Sequence, residues 1–193
     1  MPRLCVFCGS SAGNRPAFAD EARRLGELMA ASKIGLVYGG GNVGLMGVLA
    51  RTVMAGGGEV IGVIPHALEA KELALYETTK LHVVNTMHQR KTLMADLADG
   101  FAALPGGFGT CDELFEILTW AQLGIHNKPV AILNVENFFT PLIAWLEHVV
   151  ANGLLKARNL ELLRVTDRPA DLIAILNEPP PTAEPKWIEE RDR

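Results

Sequence analysis

Seven short, mostly apolar runs recur along the chain, at 4–7, 34–38, 60–64, 81–84, 101–104, 130–133 and 162–165, and they are rich in β-branched residues. Continuous runs of this length are the pattern of strands buried on both faces. Between them the apolar positions change period. Phe18, Ala22, Leu25 and Met29 are spaced by four, three and four, and further helical segments fall at 45–55, 87–98, 110–123, 141–151 and 169–176. Strands alternating with helices predict an α/β fold in which a mostly parallel sheet of about seven strands is flanked by helices on both faces. Sheets of that kind take their ligands at the carboxyl ends of the strands. Two stretches break the rhythm. The connection 65–80, with Glu69, Lys71, Glu72 and Glu77, reads as a partly helical flap, and 178–193, which contains Pro179-Pro180-Pro181 and ends in mixed charge, reads as a disordered tail. The expected organisation is one catalytic, nucleotide-binding domain over 1–177 followed by that tail.

Composition narrows the function. The chain has 193 residues, 49% of them hydrophobic, enough for one substantial core. With 18 Lys+Arg against 22 Asp+Glu the formal charge is -4 and no segment concentrates basic residues, so neither nucleic acid nor an anionic membrane is an expected partner. The first residues show neither a basic stretch nor a long apolar one, and no run of about 18 apolar residues occurs. The expectation is a cytoplasmic chain. Three cysteines cannot close a full disulfide framework, which fits a reducing compartment. Cys5 and Cys8 form C-x-x-C along a strand, where residues three apart face opposite sides, so a redox or zinc role is disfavoured. The histidines at 66, 82, 88, 126 and 148 have no metal spacing, and G-x-S-x-G is missing. Neither a metal nor a cofactor is expected.

The candidate chemistry lies in three glycine-rich turns. Cys8-Gly9-Ser10-Ser11 follows the first strand, Gly39-Gly40-Gly41-Asn42-Val43-Gly44 the second, and Pro105-Gly106-Gly107-Phe108-Gly109-Thr110 the fifth. Glycine lets a ligand approach bare backbone, and a following helix offers unpaired N–H groups. Three such turns on one sheet edge describe a phosphate-bearing ligand, held by Gly9, Ser10, Gly40, Gly41, Asn42, Gly44 and the Gly106 to Thr110 segment. Gly39, Gly41 and Gly44 also satisfy G-x-G-x-x-G. A dinucleotide fold, however, needs that motif after its first strand and an acid closing the next one, whereas Glu59 opens the next strand at the wrong sheet edge.

Two residues stand out as reactive. Thr110 and Glu113 spell a capping box, T-x-x-E, and the same geometry holds a carboxylate at the lip of the ligand cleft. Arg90 falls within the apolar stripe formed by Met87, Met94, Leu97 and Phe101. An inward guanidinium must meet an anion, either in a structural salt bridge or as a grip on a phosphate or on Glu113; Lys91 borders the stripe. On the helix at 110–123, Phe115, Leu118, Trp120 and Leu123, with Ile125 just beyond, span more of the circumference than one sheet face covers. That helix is either wholly buried or meets another chain.

The blocks Cys8-Gly9-Ser10-Ser11, Tyr38 to Gly47, Met87-His88-Gln89-Arg90-Lys91 and Pro105 to Glu113, continuing through Leu118 to His126, resemble the Lonely Guy family of cytokinin riboside 5'-monophosphate phosphoribohydrolases over about 4–155. The resemblance implies a single Rossmann-like domain that cleaves the N-glycosidic bond of AMP or an N6-prenylated AMP, releasing free base and ribose 5-phosphate. It carries the catalytic roles onto Arg90 and Glu113. It carries nucleotide contacts onto Glu72, Lys91, Gly106, Gly107, Phe108, Gly109, Thr110 and Thr119, with Met87 at the head of the R-K block, and it implies a homodimer. Phe108, Cys111 and Asp112 depart from the residues usual at those places. Some relatives carry a lysine decarboxylase label, which would need a Schiff-base lysine. A non-catalytic nucleotide or cofactor carrier of the same fold is the alternative, and the presence of both Arg90 and Glu113 argues against it.

Overall fold

The apolar runs become seven strands: β1 (Arg3–Phe7), β2 (Gly35–Tyr38), β3 (Val60–Pro65), β4 (Lys80–Val84), β5 (Gly100–Ala103), β6 (Val130–Leu133) and β7 (Leu163–Thr166). The computed structural model describes residues 1–71 and 73–179. The helices are α1 (Pro16–Ala31), α2 (Gly44–Ala55), α3 (Met87–Leu97), α4 (Phe108–Gln122), α5 (Thr140–Ala151), the short α6 (Ala157–Leu160) and α7 (Pro169–Ile175). Every neighbouring strand pair is parallel, in the order β4-β3-β2-β1-β5-β6-β7.

That order, with right-handed crossovers, decides which face each helix covers. From β1 the chain steps one way through β2 and β3 to β4, then returns past β1 to β5 and steps the other way. Helices α1 and α2 therefore lie on one face, with α7, around Leu25, Leu49 and Leu172. Helices α3, α4 and α5 cover the other, around Met94, Leu114 and Leu146. Along β1 the alternation is strict: Leu4, Val6 and Cys8 enter the first core, Cys5 and Phe7 the second, so the two cysteines do face opposite sides. Glu59 pairs with Arg3, Nε to Oε2 2.8 Å, beneath the amino ends of the strands and away from their carboxyl edge.

The 65–80 connection holds one 3-10 turn, His66–Leu68, and an antiparallel bridge between Ala74 and Gly41. Of the expected tail, Glu178 pairs with Arg164, whose Nη2 also donates to the Pro179 carbonyl at 3.1 Å. Residues 180–193 lie outside the described residues. Among the described residues no helix is long and apolar enough to cross a membrane.

Candidate active site

Strands β1 and β5 are neighbours, but the chain leaves them toward opposite faces, to α1 and α4. A parallel sheet opens a crevice at such a reversal. The Gly9 N–H donates to the Pro105 carbonyl at 3.0 Å, stitching the two departing turns together. Above this stitch lies a cleft with two lobes that share Gly9, Ser10 and Gly107. One, of about 180 Å³, is lined by Arg90, Glu113, Cys8, Met46 and the Gly107 to Thr110 turn. The other, of about 300 Å³, is backed by Phe18, Leu45, Pro105, Gly106 and Phe138.

Arg90 reaches the cleft because the start of α3 is fixed. Thr86 caps it, its hydroxyl oxygen accepting from the Gln89 N–H at 3.1 Å, while the Gln89 side chain accepts from the Asn85 N–H at 2.9 Å. One residue further on, Arg90 is buried at 5% exposure. Its Nε donates to the Val63 carbonyl at 3.1 Å and its Nη2 to the Gly39 carbonyl at 2.9 Å. The carbonyl end of β3 and the first glycine after β2 thus hold the guanidinium in place. A Cβ on Gly39 would collide with that same Nη2, so a side chain could enter here only by displacing the guanidinium.

Glu113 stands in the second turn of α4 and not in a capping box. The helix starts at Phe108, three residues earlier than the T-x-x-E pattern suggested; its N-cap is Gly107, which makes no side-chain cap. Thr110 is already inside the helix, 4% exposed and packed against Gly106. The consequence is chemical. The first turn of α4 lines the cleft, and its N-cap, a glycine, brings no side chain to its N–H groups, an arrangement suited to an anion. Cys8 joins the same lobe, and burial, with Glu113 nearby, pushes its thiol well above the ordinary range. It stays protonated and is not a nucleophile.

The remaining expected residues are not all brought together. Gly40, Gly41, Asn42 and Gly44 line neither lobe. Gly40 accepts from Leu75 N–H, Gly41 bridges Ala74, and Asn42 donates to the Leu73 carbonyl and accepts from Arg51, so this turn anchors the 65–80 connection. Gly44, at φ +54°, presses against the Ser10 backbone, and Leu45 N–H donates to the Gly9 carbonyl, so the turn also props the floor of the cleft. Met87 is 42% exposed, with its sulfur 3.9 Å from Arg90 Nη1. Lys91 pairs with Asp112 and Glu116, each at 3.1 Å. Thr119 donates to the Phe115 carbonyl at 2.7 Å and lines a separate groove between α4 and α5. Glu72 lies outside the described residues. Sequence reasoning passed over Cys8, Met46 and the Gly39 carbonyl; the position of Cys8, directly after β1 at the carboxyl edge, was the available signal.

Fold and cleft together define a doubly wound α/β protein with a cleft at the topological switch point. The family described as "Possible lysine decarboxylase" matches residues 46–176. The chain is 49% identical over 153 residues to a cytokinin riboside 5'-monophosphate phosphoribohydrolase of Arabidopsis thaliana, spanning 79% of this chain and 72% of that protein. A second enzyme of that name from Arabidopsis thaliana is 43% identical over 182 residues, 94% of this chain and 85% of the relative. The chain belongs to this family, the Lonely Guy phosphoribohydrolases. The molybdenum cofactor carrier protein of Chlamydomonas reinhardtii shares the fold, with a TM-score of 0.70 at 22% identity over 91% of this chain and 96% of that one. The decarboxylase description does not suit the cleft: no lysine lines either lobe, and adjacent Lys91 is kept protonated by two carboxylates.

Proposed function

We propose that this protein hydrolyses the N-glycosidic bond of adenosine 5'-monophosphate, or of its N6-substituted forms, to free base and ribose 5-phosphate. The observation that carries this reading is a buried, backbone-anchored Arg90 lining one lobe with Glu113, beside a helix N-terminus whose cap is a glycine. That terminus, with the Gly107 to Thr110 turn, Gly9 and Ser10, takes the phosphoribosyl part. The C1'–N9 bond breaks with its electron pair leaving on the base, water supplies hydroxyl to C1', and the proton lost by that water is balanced by the proton the base gains. Glu113 stabilises the oxocarbenium-like transition state or polarises that water, and Arg90 orients Glu113 and the nucleotide. No step calls for a metal or a cofactor.

The reading includes a homodimer built partly on α4. Leu114, Ile117 and Ala121 fill the core, while Phe115, Leu118 and Trp120 are half-buried and Leu123 and Ile125 exposed. Phe108, at the mouth of the cleft, is 97% exposed, and a partner chain would cover it.

Incubation with AMP and with N6-isopentenyl-AMP, followed by chromatography, tests the activity. Free base and ribose 5-phosphate in equal amounts are expected. A protein that binds these nucleotides and releases no base would be a carrier.

A further inference from the structure

Arg90 and Glu113 sit on different helices, and a catalytic pair split between two elements works only if the elements hold register. Lys91 directly follows Arg90 on α3. Asp112 precedes Glu113 on α4, and Glu116 lies three residues beyond it. The Lys91 ammonium is 3.1 Å from Asp112 Oδ2 and 3.1 Å from Glu116 Oε1, with its side chain only 12% exposed. We propose that Lys91 is a positioning residue, whose ammonium ties α3 to the two carboxylates that flank Glu113 and so sets the catalytic carboxylate against Arg90. This rests on the hydrolytic reading of the cleft and assigns Lys91 a part other than direct contact with the nucleotide.

The environment of the triad supports a specific tie over a loose surface pair. Glu116 is the more enclosed partner, its side chain 23% exposed, and its Oε2 is buried without a hydrogen-bond partner among the described residues. Its charge therefore depends on Lys91. Burial alone would lower the lysine's proton affinity, yet the two carboxylates raise it above the ordinary value. Two of the three donors of the ammonium are engaged in this way, and two carboxylates already balance its charge.

The test compares Lys91→Met, the double variant Asp112→Asn/Glu116→Gln, which leaves Lys91 in place, and the triple combination. Melting temperature, kcat and KM for AMP are measured for each. If the tie positions the pair, each variant folds and loses about tenfold to a hundredfold in kcat, the scale of an ångström-level misplacement. KM then moves less than about threefold, the signature of a group that does not bind ground-state substrate. The triple variant is no worse than the others, because all three remove one interaction. Two outcomes overturn the proposal: wild-type kcat in the double variant, or a raised KM with unchanged kcat in Lys91→Met. If Lys91→Met fails to fold, the near-isosteric double variant still decides. The wild-type protein is the control for the underlying reading: if it releases no base from AMP or N6-isopentenyl-AMP, that reading fails, whereas an active wild type with an active double variant sinks only the tie.

Discussion

Arg90 was legible in the sequence because a charge inside an apolar helical stripe is anomalous wherever it occurs. Its actual partners were not, since two of them are backbone carbonyls, of Gly39 and Val63, brought close only by strand order. Gly39 gives the sharpest test of that arrangement. In Gly39→Ala the new methyl group displaces the flexible end of Arg90 and no rigid backbone, so the fold survives while the guanidinium loses its seat. A fall in kcat/KM for AMP of at least about tenfold, roughly 1.4 kcal/mol, is expected with a melting temperature close to wild type. His126 shows the same reasoning applied to stability. Its Nδ1 accepts from the Lys128 N–H at 3.1 Å, so Nε2 carries the proton donated to the Ile117 carbonyl at 2.9 Å. Both nitrogens are satisfied only in the neutral ring, and burial lowers the pKa below 6.5. The neutral-ring contribution is thus complete above about pH 6.5 and is lost as pH falls through the lower folded-state value. Thermal melts at pH 7.5 and 5.5 should show wild type losing more stability than His126→Gln over that interval.

Element types and approximate bounds followed from the change of hydrophobic period, and all seven strands fall within a residue or two of the apolar runs. The start of α4 did not follow. A P-G-G-F-G-T sequence permits several first residues, and the T-x-x-E signature favoured the wrong one, because Gly107 takes the cap position with no side chain to announce it. The side-chain cap that matters belongs to α3, where Thr86 and Gln89 brace the turn leading into Arg90. Thr86→Ala should cost about 1 kcal/mol of stability, or roughly 2–4 °C in melting temperature. Because Arg90 lies in the first turns of this helix, kcat for AMP should fall along with it. A stability loss with unchanged kcat would show that Arg90 is held by its carbonyl partners alone.

At the scale of the molecule, periodicity cannot state lateral strand order, and that order decided which glycine turns meet. Three turns on one edge suggested a common ligand site. The reversal between β1 and β5 makes the cleft from two of them and leaves the turn after β2 as a support beneath it. Assembly is decided at this scale too. Light scattering coupled to size exclusion should give at least twice the 20.9 kDa chain mass, and a fully active monomer at nanomolar concentration would contradict the dimer. The central claim, that Glu113 performs hydrolysis in this cleft, is best tested by Glu113→Gln, since the residue stands in the second turn of α4 and the amide keeps its shape. Base release from AMP is predicted to fall by more than about a hundredfold, roughly 2.7 kcal/mol of barrier, at an unchanged melting temperature. Release within about tenfold of wild type would contradict the account.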